Sequence, residues 1–193
     1  ALSSAASDVY KRQGEERQYP QGATYEDVAN DYQKEYDNLI ALAARDGKIR
    51  ELFKKLTRDC EITFFTLKDD VGNKTYVRSA TMLFLKAVFD VFGRETVQNC
   101  RVEFAIGNGS YISPKGKINA TEENAAKIRN RMRELVEAKT PFLKKSYSLD
   151  NAMELFRREG MKDKEKLFRY RRGSFVNIYE MDGYYDYYYG YML

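Results

Sequence analysis

The spacing of apolar and polar residues predicts a helix and several strands in the first third of the chain. Thr24, with an acidic residue three positions later, is typical of a helix N-cap and predicts a helix to about Tyr36. The Asp46-Gly47 pair separates two apolar runs and predicts a hairpin turn. Residues 60–67 are rich in β-branched and aromatic side chains, which favours a strand. The segment therefore predicts one helix and a mixed sheet, with the size of a small ubiquitin-like domain.

Helical periodicity dominates the rest of the chain. After a turn predicted at 69–73, apolar residues from Thr75 onward recur at steps of three or four, as on one face of a helix. Thr121 and Ser148 are predicted N-caps of two further helices, the second ending at Gly160. Residues 164–170 predict a last helical turn or two. Strands are predicted at 102–106, 111–112, 175–179 and 187–192.

Both ends of the sequence carry an expectation about its origin. Residues 1–13 have no apolar period, and 8–13 look like the translation of a transposon end used to build sequencing libraries. We expect this leader to be disordered or artefactual. The other end stops inside an aromatic run at Tyr191-Met192-Leu193, so we expect the chain to be a fragment truncated at its C-terminus.

Composition narrows the class of protein. Of the 193 residues, 43% are hydrophobic and 32% charged, and no run approaches the eighteen apolar residues of a membrane span. We therefore expect a globular cytoplasmic protein with no membrane partner. The net charge of +4 does not by itself identify a nucleic-acid partner. Cys60 and Cys100 have no second cysteine nearby, which favours a reducing compartment and a role as small core residues.

The chain contains no histidine, and this excludes several kinds of site. Histidine is the usual acid/base at neutral pH and the commonest zinc ligand, so Ser-His-Asp, Cys-His and His-ligated metal sites are all excluded. The phosphate-binding pattern G-x-x-x-x-G-K-[ST] is also missing, because Gly116-Lys117 is followed by Ile118. We expect no catalytic site, metal or cofactor in this chain.

Two segments in order resemble the N-terminal domains of bacterial threonyl-tRNA synthetases. Residues 23–67, with the Asp46-Gly47-Lys48 hairpin, resemble the TGS domain, and the chain after Leu67 resembles the second additional domain, which edits aminoacyl-tRNA. The second resemblance rests on Arg78-Ser79, Ile106-Gly107, Gly109-Ser110-Tyr111, Ile128, Met132, Leu135-Val136, Pro141-Phe142, Ala152, Leu155-Phe156, Gly160, Tyr170, Gly173 and Phe175-Val176. The resemblance implies an α+β protein: a TGS-like domain at 14–67, then an editing-like domain at 68–193 with long helices on an antiparallel sheet.

The same resemblance implies that the editing site is degenerate. Four metal-type ligands of the family, His-x-x-x-His on a helix and Cys-x-x-x-His on a late strand, correspond to Arg78, Met82, Tyr179 and Gly183. None of these side chains replaces imidazole or thiolate as a ligand. We expect the domain neither to edit nor to bind zinc. Arg78 is a candidate partner of Glu103 or Asp182 in a salt bridge that fills the former cleft.

A second resemblance concerns a uridine kinase-like family of bacterial nucleoside kinases. It is carried by 76–79 and 83–88, by the Gly109-Ser110-Tyr111 turn, by Asp163-Lys164 and by the aromatic tail 186–192. In that family a TGS domain and a His-free editing-like domain precede a P-loop kinase domain. The resemblance implies a non-catalytic regulatory or substrate-presenting region whose partner is its own kinase domain, absent here, which would bind ATP and Mg²⁺.

Two alternatives to the kinase hypothesis stay open. One is an RNA- or tRNA-binding accessory module, with Arg169, Tyr170, Arg171 and Arg172 as candidate RNA or nucleotide contacts. The other is an aminoacyl-tRNA editing domain that works without a metal. The tyrosine-rich tail could stack a nucleoside, although alternate packing of a strand is the simpler explanation. Similarly, 107–110 could form an anion-binding nest, although a tight turn is the simpler explanation.

Overall fold

The computed structural model describes residues 8–12, 15–107, 109–115 and 118–193. They divide into two compact units, one within Ala1–Ser79 together with Gly190–Leu193, and the other over Ala80–Tyr189. The sequence predicts a domain boundary after Leu67, and the compact units divide between Ser79 and Ala80, inside the long helix Asp70–Phe92. Each unit is described separately below.

The first unit is a mixed sheet with one α-helix. Its elements are β1 (Asp8–Arg12), β2 (Glu15–Tyr19), α1 (Tyr25–Tyr32), a 3-10 turn (Gln33–Glu35), β3 (Ile40–Arg45), β4 (Lys48–Glu51) and β5 (Cys60–Thr66). The strand order is β2-β1-β5-β3-β4. Strands β1 and β5 are parallel, and the other neighbours are antiparallel.

Local chemistry explains the predicted helix and hairpin of this unit. Thr24 and Asp27 form a capping box, in which the Thr24 hydroxyl accepts from the Asp27 amide at 3.2 Å and the Asp27 carboxylate accepts from the Thr24 amide at 2.7 Å. Asp46 and Gly47 both have positive φ, 50° and 75°, as a two-residue hairpin turn requires. The helix and the β3–β4 hairpin are therefore confirmed.

The helix α1 buries one face in the core of the first unit. Tyr25, Val28 and Tyr32 have no exposed surface, and they belong to one apolar cluster with Cys60 and Ile62 of β5. The cluster also contains Tyr19, Ala23, Ala43 and Leu56. The prediction that Cys60 is a small core residue is confirmed.

Part of the expected leader has regular backbone structure. Residues Asp8–Arg12 form β1, which lies between β2 and β5 in the sheet. Residues 1–7 and 13 lie outside the described residues. The artefactual origin of the leader stays a prediction, but a segment of it forms a strand of this sheet.

The second unit combines helices with antiparallel strands. Its elements are the later part of α2 (Asp70–Phe92), α3 (Arg94–Asn99), β6 (Arg101–Ile106), β7 (Gly109–Ser113), α4 (Glu122–Glu137), β8 (Leu143–Ser148), α5 (Leu149–Arg158), α6 (Lys162–Arg169), β9 (Phe175–Met181) and β10 (Tyr184–Asp186). One antiparallel sheet has the order β10-β9-β8, and β6 pairs with β7 in a separate hairpin. The expected α+β class with antiparallel strands is confirmed.

The core of the second unit lies under this three-stranded sheet. Ala152 and Phe156 of α5 and Phe168 of α6 are fully buried, and they cluster with Val176 and Ile178 of β9. The Phe156 and Phe168 rings have centroids 5.4 Å apart. Among the residues that the structure describes, no helix is both long and apolar enough to cross a bilayer.

Helix α2 begins earlier than the sequence predicts. Its first residue is Asp70, so the turn predicted at 69–73 is partly wrong. The Asp69 carboxylate accepts from the Thr66 amide at 2.7 Å, and this compact turn leads straight into the helix. A Cβ on Gly72 would lie 2.0 Å from the Thr66 carbonyl oxygen. Gly72 is therefore needed for close packing, although a glycine inside a helix usually indicates a turn.

The strand predicted at 187–192 is also wrong. Strand β10 ends at Asp186, whose carboxylate accepts from the Tyr187 amide at 2.7 Å and removes that amide from the ladder. The turn before β10 is Asp182-Gly183, with φ of 44° and 79°. This Asp-Gly turn places the hairpin earlier than the aromatic pattern suggests. Strand β8 and helix α3 were not predicted.

Candidate functional site

The degenerate editing positions are built into the packing of the chain. Met82 on α2 and Tyr179 on β9 have no exposed surface, and both belong to the second unit. The Lys144 ammonium lies 5.3 Å from the centroid of the Tyr179 ring. Gly183 is the second residue of the β9–β10 turn. Arg78 belongs to the first unit, where its guanidinium donates to the carbonyl of Tyr191.

Each carboxylate suggested as a partner of Arg78 lies close to the ammonium of a lysine. Glu103 lies 3.3 Å from the Lys115 ammonium. Asp182 lies 3.1 Å from the ammonium of Lys86. The Arg78 guanidinium donates to a main-chain carbonyl of its own unit, and its suggested salt bridge with a carboxylate of the second unit stays a prediction.

A buried lysine ties together the two elements that carry Met82 and Gly183. The Lys86 side chain, one helical turn after Met82, is 2% exposed. Its ammonium donates to the Asp90 carboxylate at 2.7 Å and to the main-chain carbonyl of Asp182 at 2.7 Å. It also lies 3.1 Å from the Asp182 carboxylate. One cation thus links α2 with the turn between β9 and β10.

The ion pairs continue from α2 to α4. The second carboxylate oxygen of Asp90 accepts from the Arg131 guanidinium at 2.8 Å, and Arg131 also pairs with Glu134 at 2.9 Å. Beside this network lies a cavity of about 530 Å³, and its lining includes Arg131, Glu134, Glu180 and Asp182. The wall of this cavity therefore carries both positively and negatively charged side chains.

This arrangement holds elements of the second unit together. A lysine ammonium has three donors, and those of Lys86 have three oxygen atoms within 3.1 Å. Within the described residues no three His, Cys, Asp or Glu side chains group as metal ligands do.

Sequence reasoning missed Lys86, although a signal for it was present. Lys86 and Asp90 are four residues apart on a helix whose surrounding positions are mostly apolar. A charged pair at this spacing inside an apolar stretch indicates a buried ion pair, because an unpaired charge would be too costly to bury. The partner Asp182 could not be identified without the fold.

Among the candidate residues at the end of α6, Arg169 and Arg171 are bonded to neighbouring side chains. Arg169 and Arg157 both donate to Glu165, at 3.0 and 3.1 Å, and hold the pKa of that carboxyl below its usual range. Arg171 donates to the Tyr187 hydroxyl, and its guanidinium lies 5.3 Å from the Tyr187 ring centroid. Tyr170 is 88% exposed.

The hairpin β6–β7 presents a second exposed aromatic surface. Phe104 and Tyr111 are 58% and 48% exposed, and their rings stack with centroids 5.2 Å apart. The candidate nest at 107–110 forms the end of this hairpin, and Gly107 has a φ of 56°. Asn108 lies outside the described residues, so the nest stays a prediction.

Most of this chain is similar in sequence to threonine–tRNA ligases. The enzyme of Thermotoga maritima is 28% identical over a 176-residue alignment that covers 86% of this chain and 26% of the relative. The enzyme of Rhizobium etli strain CIAT 652 is 28% identical over 174 residues, with coverages of 90% and 25%. That of Pelagibacter ubique is 26% identical over 163 residues, with coverages of 84% and 25%. No family model matches the chain.

These relatives bear on two of the expectations. The chain spans about a quarter of the length of the curated relatives it matches. The resemblance to threonyl-tRNA synthetases is confirmed over most of the chain. The expectation of a nucleoside kinase regulatory region gains no support from these relatives, which favour the alternative of a tRNA-related domain.

Proposed function

We propose that this chain is a tRNA-binding module related to the N-terminal part of threonine–tRNA ligases, and that it does not hydrolyse aminoacyl-tRNA. The similarity that covers 84–90% of the chain carries the proposal. In this proposal 14–67 is the TGS-like domain and 68–193 is the editing-like domain. The module needs no metal or cofactor of its own.

The strand order of the first unit supports the TGS-like assignment. Within 14–67, α1 follows β2 and precedes the antiparallel strands β3, β4 and β5, and β1, from the preceding leader, adds a parallel neighbour to β5. A mixed sheet and one helix that together take up about sixty residues are consistent with a small ubiquitin-like domain. The helices and antiparallel strands of the second unit agree in the same way with an editing-like domain.

Exposed cationic and aromatic side chains supply the contacts that RNA binding needs. Arginine neutralises phosphate, and exposed aromatic rings stack on unpaired bases. Arg172 and Tyr170 are both exposed in the loop after α6. Phe104 and Tyr111 add a stacked pair on the β6–β7 hairpin. We propose Tyr170 and Arg172 as the main contacts, because the side chains of Arg169 and Arg171 are already bonded.

The absence of the family's metal-ligating side chains from the four corresponding positions supports binding without hydrolysis. Met82 and Tyr179 are buried, the chain has no imidazole, and the ammonium of Lys86 is fully bonded. A hydrolase needs a group that activates water, and these positions offer none. Aminoacyl-tRNA would therefore bind without being cleaved.

Direct binding measurements test this function. Fluorescently labelled tRNA is titrated with the whole chain, and anisotropy is followed at about 50 and 200 mM salt, where a few phosphate contacts change the affinity by about tenfold or more. The double variant Tyr170→Ala/Arg172→Ala should weaken binding by about tenfold. The matched control, Tyr189→Ala/Arg133→Ala, removes one exposed residue of each type elsewhere and should bind as the unmodified chain does.

Two results would overturn the proposal. Affinity for tRNA no higher than for an unrelated polyanion of equal charge, such as heparin, would show a purely electrostatic interaction. Release of the amino acid from serine-charged threonine tRNA, faster than in buffer, would show that the domain still edits.

A further inference from the structure

The second unit contains an apolar cavity that the tRNA proposal does not use. Its volume is about 280 Å³, and it lies among α2, the C-terminal end of β7 and the first turns of α4. The apolar part of its wall includes Phe84, Ile112, Pro114, Ile118, Ala125 and Ile128. These side chains come from four segments of the same unit.

Several polar groups at the cavity are already bonded to neighbouring groups. The Thr121 hydroxyl accepts from the Asn124 amide at 3.3 Å, and the Thr121 amide donates to the Asn119 carbonyl at 2.8 Å. The Asn124 side chain donates to the same carbonyl at 3.0 Å. The Glu122 carboxylate accepts from Arg129 at 3.3 Å. Because most of the wall is apolar, a charged ligand would lose part of its hydration there, so the wall favours an uncharged one.

Cys100 adds a thiol to this wall without adding a charge. It is partly buried and forms no disulfide. Burial raises the pKa of the Cys100 thiol, so the thiol is neutral at neutral pH. A neutral thiol behaves as a small polarisable apolar group and makes favourable contacts with aromatic rings.

The volume sets the size of the ligand. A closed apolar cavity of about 150 Å³ holds benzene, and this partly open pocket of about 280 Å³ has room for a second fused ring. It lies close to the lower end of the range for small-molecule sites, about 300 Å³. An aromatic ligand would contact the Phe84 ring and the three isoleucines.

We propose that this cavity is a binding site for a small uncharged aromatic molecule of up to two fused rings. The site is independent of tRNA binding, and its walls belong to the second unit alone. The ligand would lie against Phe84, Ala125 and the thiol of Cys100.

Indole, which is bicyclic and uncharged, is the probe for this site. The whole chain is labelled at isoleucine methyl groups, and the NMR shifts are followed as indole is added. Saturable shifts are expected at Ile112, Ile118 and Ile128, whereas Ile178, in a different core cluster, should not shift. Indole-3-acetate, a charged analogue, should bind about tenfold more weakly or worse.

Two substitutions on α4 separate a real cavity from surface adsorption. Ala125→Phe fills the cavity from its wall and should abolish the shifts. Ala126→Phe makes the same change at a position outside the lining and should leave them. Thermal unfolding of each variant reports whether the chain has folded, and Ala125→Ile is the smaller replacement if Ala125→Phe has not.

Three outcomes would overturn the inference. They are the absence of saturable shifts up to the solubility limit of indole, shifts that persist in the folded Ala125 variant, and equal binding of indole and indole-3-acetate. None of these outcomes would affect the proposal of tRNA binding, which is measured separately with labelled tRNA.

Discussion

Tyr184 and Tyr188 are buried tyrosines in a tail that contains many aromatic residues. Burial raises the pKa of both phenols well above the ordinary 10.0, and the nearby carboxylate of Asp186 adds to the effect. The Tyr184 hydroxyl donates to Asp186 at 3.4 Å, and the Lys164 ammonium lies 3.0 Å from the same carboxylate. These two tyrosines are therefore core groups. Tyr189, by contrast, is 86% exposed.

The raised pKa values predict a loss of stability at alkaline pH. In the unfolded chain these phenols ionise at about pH 10, whereas in the folded chain they stay neutral, so the unfolded state loses protons first. Stability is intact below pH 10 and falls above it by about 1.4 kcal/mol per pH unit for each such tyrosine. Urea unfolding from pH 8 to 11 should show a smaller fall in Tyr184→Phe and Tyr188→Phe.

The control for this prediction is an exposed tyrosine. Tyr170→Phe should leave the alkaline dependence unchanged, because that hydroxyl is in solvent in both states. If Tyr184→Phe, Tyr188→Phe and Tyr170→Phe all show the same fall as the unmodified chain, burial does not raise the pKa of either phenol.

Lys86 shows how a single side chain fixes two secondary structure elements. Its ammonium joins α2 to the β9–β10 turn through Asp90 and Asp182. The resemblance to synthetases implies metal-type ligands on these same two elements. A buried ammonium supplies a fixed positive charge there without a metal ion.

Replacing Lys86 with methionine keeps the volume but removes the charge. Asp90 retains Arg131, and the Asp182 side chain is 63% exposed, so only part of the cost of an unpaired buried charge applies. We expect Lys86→Met to lower the free energy of unfolding by about 2 kcal/mol. Urea unfolding at neutral pH measures this. Lys74→Met removes an exposed pair with Asp70 on the same helix and should cost less than about 0.5 kcal/mol.

An equal effect of the two substitutions would contradict the bridging role of Lys86. So would a stabilised Lys86→Met variant, because replacing a costly buried ion pair with apolar contacts can raise stability.

Elements with strong local signals could be predicted from the sequence, and those set by distant contacts could not. Thr24, Thr121 and Ser148 are N-caps as predicted, because capping depends on a few neighbouring residues. The helical role of Gly72 depends on its approach to the Thr66 carbonyl, which local pattern does not reveal. Strand β8 has four exposed or half-exposed polar residues among its six, so alternation does not mark it.

The candidate site shows the same difference between local signals, which the sequence carries, and distant contacts, which it does not. The absence of histidine could be read directly, and it already excluded imidazole chemistry. The buried pairing of Lys86 with Asp182 joins residues 96 positions apart, so it required the fold. The hydrogen bond of Arg78 with the Tyr191 carbonyl was not predicted for a related reason, since a main-chain acceptor leaves no signature in the side-chain pattern.

At the scale of the whole molecule, net charge does not account for the proposed recognition of tRNA. The chain has 33 basic and 29 acidic side chains, a small excess that gives no strong overall field. Many of the described basic residues are bonded to acidic ones, as Arg169 is to Glu165. Recognition of tRNA would therefore depend on a few free arginines and exposed rings rather than on net charge.

The last prediction concerns the metal requirement of the whole chain. A metal that binds only the folded state stabilises it by about 2.7 kcal/mol at a concentration one hundred times its dissociation constant. With no histidine in the sequence and no ligand cluster among the described residues, Zn²⁺ and EDTA should both leave the unfolding temperature unchanged. The double variant Asp70→His/Lys74→His places two imidazoles one turn apart on exposed positions of α2 and serves as the positive control. Its unfolding temperature should rise with Zn²⁺ and fall back with EDTA, whereas a stoichiometric rise in the unmodified chain would show a metal site that the degenerate positions do not explain.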